Sequence, residues 1–366
     1  MERLALELVD SGLMMVSPSG GLSAPSPGLA IVDGDMLHVG FDAARNARLK
    51  PRRLHSRFWE ILSEAPLTRP FPTHLRTADL AHAHLQGVWE VAGRNAAEVI
   101  VAVPGLYTHE QLRLLLGIAK ACSMPVSGLV DVAVAAAADR PTRPRCLHLD
   151  LHLHRAVLTG IEHGSEVVRG AVEGEPRVGL IGLHDTWARM LAATFVRTTR
   201  FDPLHQAATE QILYLQLSDH LATLAEVEST SVVIPSGGHR HTVELEHRDV
   251  VEAARPAYEI LSAWIRDWSE SEEATLLVSN RIAALPGLVV HLRQTTDLEV
   301  IALHPAAVGG AVLHHVDRIR STDAALPFVT RLPGYDATPP SPVTVAVQPP
   351  ADAATQIDSP PHLVVE

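Results

Sequence analysis

Four polar side chains alternate along one predicted strand and belong to residue types that bind metal ions. His148, Asp150, His152 and His154 stand two residues apart, so that all four share one face of a strand. Three imidazoles and a carboxylate are a recognised set of zinc ligands. Side chains two apart on a strand are separated by about 7 Å, which is too far for successive positions to meet at one ion without a bulge. The sequence therefore predicts a polar strand face here and no metal site.

Motifs for hydrolytic or P-loop chemistry are absent. The sequence contains no G-x-S-x-G, no H-E-x-x-H and no G-x-x-x-x-G-K-[ST] segment. Cys122 falls on the apolar stripe of a predicted helix, which favours a packed core residue over a nucleophile. Cys122 and Cys146 are the only cysteines, so the chain has no disulfide framework and a reducing compartment is expected.

A predicted βαβα unit at residues 98–138 organises the chain. Residues 99–103 are apolar and rich in β-branched side chains, as in a strand buried on both faces. Thr108 and Gln111 have the spacing of a capping box, so a helix is expected to begin there. A second strand at 126–130 and an alanine-rich helix follow. This order predicts a parallel sheet covered by helices.

Each half of the chain is predicted to open with a hairpin. Strands at 3–9 and 13–16 flank the turn Asp10-Ser11-Gly12, and a strand from 146 through 154 opens the second half, which turns again at His163-Gly164. The predicted divisions are 1–145 with a closing helix at 305–320, then 146–304, and then a flexible tail at 321–366. The tail contains nine prolines in 46 residues.

Composition excludes two classes of partner. The chain has 366 residues, a net charge of −12 and no long Lys/Arg run, which argues against nucleic-acid binding. No apolar run reaches about 18 residues, so membrane insertion is not expected. The N-terminus lacks a basic region followed by an apolar one, and a cytoplasmic protein is predicted.

Seven segments follow one another in a recognisable order. They are IVAVPGLYTHEQLRLL, SMPVSGL, VDVAVAAAA, VESTSVVIP, HTVELEHRDVVEAARPAYEILSAWI, LLVSNRIAALPGLVVHL and HPAAVGGAVL. In this order the chain resembles, over about residues 3 to 320, the nucleotide-binding domain of the seventy-kilodalton heat-shock chaperones. The resemblance implies an actin-like two-lobe fold made of duplicated ribonuclease-H-like domains.

The resemblance also implies a site for ATP or ADP with Mg²⁺ between the lobes. Acidic positions of the catalytic type would be Glu7, Asp131 and Asp150, and Pro104 would be the hinge proline. The residues that would line the nucleotide cleft are Asp10, Ser11, Gly12, Asp150, His152, Ser279, Asn280 and Arg281.

The sequence departs from the family where backbone must approach phosphate. Val9 and Asp10 replace a glycine and a threonine of the first phosphate loop, and a carboxylate there repels a triphosphate. The glycines of the second loop are replaced by the run His152-Leu153-His154, as if a strand continued through it. Trp59 or Glu60 stands where the family has its catalytic lysine.

These departures favour a non-hydrolysing protein that binds a protein partner or acts as a scaffold. With only 46 residues after the resembling region, a peptide-binding domain like that of the chaperones is not expected, and the segment PHLVVE is a form that can add to a sheet edge of a partner. Two alternatives remain open at this point: an ATP-binding, weakly hydrolysing ATPase that works with a partner, and a self-assembling filament protein.

Overall fold

The described part of the chain is a mixed α/β protein. The computed structural model describes residues 2–34, 36–68, 70–72, 74–93, 95–269, 273–321 and 326–335. The strands are β1 (Glu2–Glu7), β2 (Met14–Val16), β3 (Ala30–Asp33), β4 (Met36–Val39), β5 (Leu54–His55), β6 (Ala96–Val103), β7 (Val126–Asp131), β8 (Arg145–Leu151), β9 (Ala156–His163), β10 (Glu166–Glu175), β11 (Ser229–Ser236), β12 (His239–Glu246), β13 (Ala274–Val278), β14 (Glu299–Ala302), β15 (Phe328–Val329) and β16 (Arg331–Pro333). The α-helices are α1 (Gly40–Ala44), α2 (Thr77–Val91), α3 (His109–Ala121), α4 (Val132–Ala138), α5 (Leu180–Thr199), α6 (Ala207–Thr223), α7 (His247–Trp268), α8 (Asn280–Ala283), α9 (Leu288–Thr295), α10 (Ala307–His314) and α11 (Val316–Ile319).

Two large sheets repeat one strand arrangement. The first sheet has the order β15-β7-β6-β1-β2, and the second has the order β14-β13-β8-β9-β10-β16. In each, the first strand of a hairpin (β1 or β8) pairs antiparallel with the next strand and parallel with a later one. The predicted first hairpin, the predicted turn at His163-Gly164 and the predicted parallel βαβα unit are confirmed.

Helices cover the outer faces of both sheets and fill the space between them. Helices α2 and α3 pack on the first sheet, and α5, α6, α7 and α9 pack on the second. Helices α4, α10 and α11 form an inter-sheet core with residues of both sheets. Every residue of α4 is buried, which its small alanine side chains permit. Gly309 lets α10 approach β2, because a Cβ there would lie 2.3 Å from the Val16 side chain.

Local capping signals in the sequence are confirmed. The Thr108 hydroxyl accepts a hydrogen bond from the Gln111 amide at 3.2 Å, and the Gln111 side chain accepts one from the Thr108 amide at 3.0 Å. Helix α3 begins at the next residue and buries Leu112, Leu115 and Cys122 against the first sheet. Both cysteines are buried, and neither forms a disulfide.

The strand predicted through His154 ends earlier, at Leu151. The His152 amide donates to the Arg155 carbonyl at 2.8 Å, which closes a reverse turn and sets Leu151 opposite Ala156 in the hairpin. Alternation continues through the turn in the sequence, but no glycine or proline marks it. Both halves of the chain hold the turn, since the Leu153 amide donates to Asp10 and the Leu180 amide donates to the His152 carbonyl. The prediction of a continuous strand was wrong.

The predicted closing helix is divided into α10 and α11 at His315.

The prediction of a flexible tail was wrong for the first part of that segment. Strand β15 pairs parallel with β7 of the first sheet, and β16 pairs antiparallel with β10 of the second. Prolines are tolerated here because both are edge strands, where a missing N–H breaks no ladder. The rest of the predicted tail, including PHLVVE, lies outside the described residues.

No helix in the described ranges has both the length and the apolar character needed to cross a membrane.

Candidate functional site

Arg281 lies at the junction of the two sheets. Helix α8 begins directly after β13, with the Ser279 hydroxyl accepting a hydrogen bond from the Ile282 amide at 3.3 Å. The Arg281 guanidinium then donates to Glu7 at 2.8 Å, at the end of β1, and to Asp150 at 3.4 Å, near the end of β8. It also donates to the Gly12 carbonyl at 3.4 Å. One buried cation thus joins the first hairpin to the second.

Burial and charge set the protonation states of this cluster. Burial raises the pKa of Glu7 above its ordinary value, and the opposing effect of Arg281 is smaller. Burial also acts to raise the pKa of Asp150, but Arg281 and neighbouring histidines outweigh it, so that this pKa is lowered. Arg281 and the Asp150 carboxylate therefore form an ion pair, whereas burial makes Glu7 harder to ionise than an ordinary glutamate.

The turns of the two hairpins contact each other directly. The Ser11 hydroxyl donates to the Leu151 carbonyl at 2.6 Å. Asp10 accepts a hydrogen bond from the Leu153 amide at 3.0 Å and pairs with His152 Nδ1 at 3.0 Å. Burial opposes ionisation of Asp10, but His152 and the Leu153 amide outweigh it and lower its pKa. The Ser11 hydroxyl and the Leu153 amide, which could otherwise donate to a phosphate, are thus engaged within the protein.

A bridging segment, residues 40–68, spans the two halves beside these turns. Its Arg48 pairs with Asp185 of α5 at 2.7 Å and stacks on the Tyr214 ring of α6 at 3.5 Å from the centroid. Its Ser56 hydroxyl lies 2.8 Å from His154 Nε2. The segment therefore fastens the first sheet's half to the turn and the helices of the second.

Trp59 and Glu60 of this segment have roles unlike that of a catalytic lysine. Trp59 is buried in the core of the first sheet and donates to His84 Nδ1 at 3.0 Å. Glu60 pairs with Arg57 at 2.6 Å and with Arg155 at 3.6 Å. The cations beside Glu60 are thus Arg57 and Arg155, and both pair with it.

His84 offers a test of this packing. Because Trp59 donates to Nδ1, the other ring nitrogen carries the proton and faces the Ser26 hydroxyl at 2.8 Å. Burial lowers the pKa of His84 to about 3. In the unfolded chain, His84 binds a second proton and becomes cationic below the ordinary histidine pKa of about 6.5, whereas in the folded chain it stays neutral there. The contribution of His84 to stability is therefore complete above pH 6.5 and is lost as the pH falls toward 3.

We therefore expect the His84 ring signal in an NMR titration to stay constant from pH 8 to about 4.5. The same signal in urea should titrate with the ordinary histidine pKa. A folded-state titration midpoint near 6.5 would contradict the buried, neutral ring.

Asp131 is engaged in structural contacts rather than in the cluster around Arg281. Its carboxylate caps α4 by accepting hydrogen bonds from the Ala133 and Val134 amides at 2.9 and 3.2 Å. It also pairs with Arg169 of β10 at 3.1 Å, which is a further bond between the two sheets. Burial raises the pKa of Asp131 despite these bonds.

The structure brings together most of the residues predicted to line a cleft. Hydrogen bonds and ion pairs join Glu7, Asp10, Ser11, Gly12, Asp150, His152 and Arg281, and Ser279 and Asn280 begin the helix that carries Arg281. Pro104 lies just after β6, where its carbonyl accepts from the Tyr107 amide. Two cavities, of about 510 and 530 Å³, are lined by other residues.

The histidines of the predicted polar face do not act as one set. His148 and His152 are buried, and the Nε2 atom of each lacks a hydrogen-bond partner within the described residues. Burial lowers the pKa of His148 to about 4. His154 has left the strand and faces Ser56.

Sequence reasoning missed the bridging segment, whose only signal was a cluster of arginines and aromatic residues without helical or strand period.

The chain was also compared with known proteins. No protein-family model matches it, and no curated protein matches it.

Proposed function

We propose that this chain is a non-hydrolysing protein of the actin-like, two-lobe fold that serves as a scaffold or a protein-binding module. The repeated strand arrangement of the two sheets supports a duplicated architecture of this kind. The inter-sheet core of helices supports it as well, since both halves contribute to that core. The lobes would be the halves built on the first and second sheets.

The observation that carries the proposal is the position of Arg281 between Glu7 and Asp150. Phosphoryl transfer depends on positioned donors and cations that stabilise charge on the transferred phosphoryl group. Here the cation is neutralised by an internal carboxylate, and the Leu153 amide beside it is taken by Asp10. A triphosphate would have to displace both, and would then lie against buried acidic groups.

Because the residues around Arg281 bond to one another, we infer that the protein works through its outer surface. We infer that the partner is another protein and that the chain works in the cytoplasm without nucleic acid. Binding through the segment PHLVVE is part of this proposal, because a short apolar segment can add to a sheet edge or enter a groove.

Thermal unfolding and isothermal titration with Mg-ATP and Mg-ADP test the proposal on the full chain. A ligand at 100 times its Kd raises the free energy of unfolding by about 2.7 kcal/mol. We expect millimolar nucleotide to give neither a shift in Tm nor binding heat. A shift that is lost in Asp150→Ala would support the ATP-binding alternative, and light scattering that grows with protein concentration would support the self-assembling one.

A further inference from the structure

Two adjacent histidines and one aspartate meet at the end of the inter-sheet core. Asp139 is the residue that caps the C-terminus of α4, and His314 and His315 stand where α10 ends. One carboxylate oxygen of Asp139 lies 2.9 Å from His314 Nδ1 and 2.8 Å from His315 Nε2. Asp139 is about 175 residues away from the two histidines in the sequence, so only the fold brings it to them.

The spacing of these atoms fits a transition-metal ion. One ligand atom of each residue lies within 4.8 Å of the other two. An ion with metal–ligand bonds of about 2.1 Å in a tetrahedral arrangement separates its ligand atoms by about 3.4 Å. Small side-chain rotations would therefore allow an ion to take the place of the two hydrogen-bonded protons.

The chemistry and exposure of the set also fit. Two imidazoles and a carboxylate are ligands that suit Zn²⁺ and related divalent ions. The His314 side chain is 57% exposed and that of Asp139 is 35% exposed, whereas that of His315 is 11% exposed. An ion could enter from solvent and keep water as a further ligand, while the buried His315 fixes its position.

We propose that Asp139, His314 and His315 bind one divalent transition-metal ion of the Zn²⁺ type. The ion would fasten the end of α10 to the end of α4, just before the chain crosses to β8. This proposal is independent of the proposed function, since the site shares no residue with the cluster around Arg281.

Titration of Zn²⁺ and of Co²⁺ into the metal-free full chain, followed by calorimetry and by the visible absorption of Co²⁺, tests the proposal. We expect one saturable site. In the variant His314→Gln/His315→Gln the metal affinity should fall by about 100-fold or more, because loss of even an outer-shell partner can lower affinity by that factor. The matched control His239→Gln/His241→Gln, on the hairpin β11–β12, should bind as the natural chain does.

A second measurement uses the unaltered chain. Zn²⁺ should protect His314 and His315 from acylation by diethyl pyrocarbonate, with the sites of modification identified by mass spectrometry. Equal affinity in the two double variants, or equal modification of both residues with and without Zn²⁺, would overturn the proposal.

Discussion

Replacing Arg281 by methionine should lower the free energy of unfolding by about 3 to 5 kcal/mol, because it leaves the buried Asp150 carboxylate without its cation. Glu7 would also lose the hydrogen bond that it accepts at 2.8 Å. Urea unfolding at pH 7 measures the change. The effect should be among the largest of any single substitution in the chain, since it removes one partner of a buried pair and keeps the other.

Two control variants separate burial from charge. Arg177→Met removes a cation that pairs with Glu175 at 2.6 Å, but its side chain is 66% exposed, so its loss should change stability far less than the loss of Arg281. Glu7→Gln retains an oxygen that can accept from Arg281 and leaves the pair of Arg281 with Asp150 in place, so it should also cost far less than Arg281→Met. Equal losses for Arg281→Met and Arg177→Met would show that the cluster does not hold the sheets together.

Replacing Leu332 by alanine should lower the free energy of unfolding by about 2 to 5 kcal/mol, the usual range for a buried leucine. Leu332 lies in β16, is 1% exposed, and packs in the inter-sheet core with α4. A flexible tail at this position would tolerate the substitution, because a solvated leucine loses nothing when it is shortened. Urea unfolding of the full chain measures this effect.

Arg331→Ala is the matched control, one residue away on the same strand. The Arg331 side chain is 65% exposed and pairs with Glu166 at 3.5 Å, so its loss should change the free energy of unfolding by less than about 1 kcal/mol. If both substitutions leave stability unchanged, the pairing of β16 with β10 does not contribute to the fold.

The sequence predicted well those elements whose signals are local. Three elements were found close to their predicted places. They are α3, marked by the capping pair Thr108 and Gln111, the strand β6, marked by its apolar run, and α4, marked by its alanine-rich composition. Hairpin turns rich in Gly or Asp were found for the same reason. These signals depend on neighbours within a few residues.

The sequence predicted which residues belong to the candidate site but not how they contact one another. Resemblance placed Glu7, Asp150 and Arg281 in one cleft, and the structure joins them by hydrogen bonds and ion pairs. That these residues bond to one another could not be predicted, because the bonds join residues more than 130 positions apart, such as Ser11 with Leu151. The turn after Leu151 was missed because no glycine or proline marks it in the sequence.

The first part of the tail was misread because proline content was taken as a sign of disorder. Phe328 and Leu332 are apolar residues within this proline-rich stretch, and each lies on an edge strand of a different sheet. An edge strand needs hydrogen bonds on one side only, so neighbouring prolines are compatible with it. Composition averaged over 46 residues concealed a short ordered segment.

Strands β15 and β16 have a mechanical consequence. The chain passes between the two sheets at 139–145 and again between β14 and α10. Thr330, between β15 and β16, makes a further passage, and its carbonyl accepts a hydrogen bond from the Arg169 amide at 3.0 Å. Because β15 pairs with the first sheet and β16 with the second, this short segment ties the two sheets together, and a chain ending at residue 320 would lose that tie.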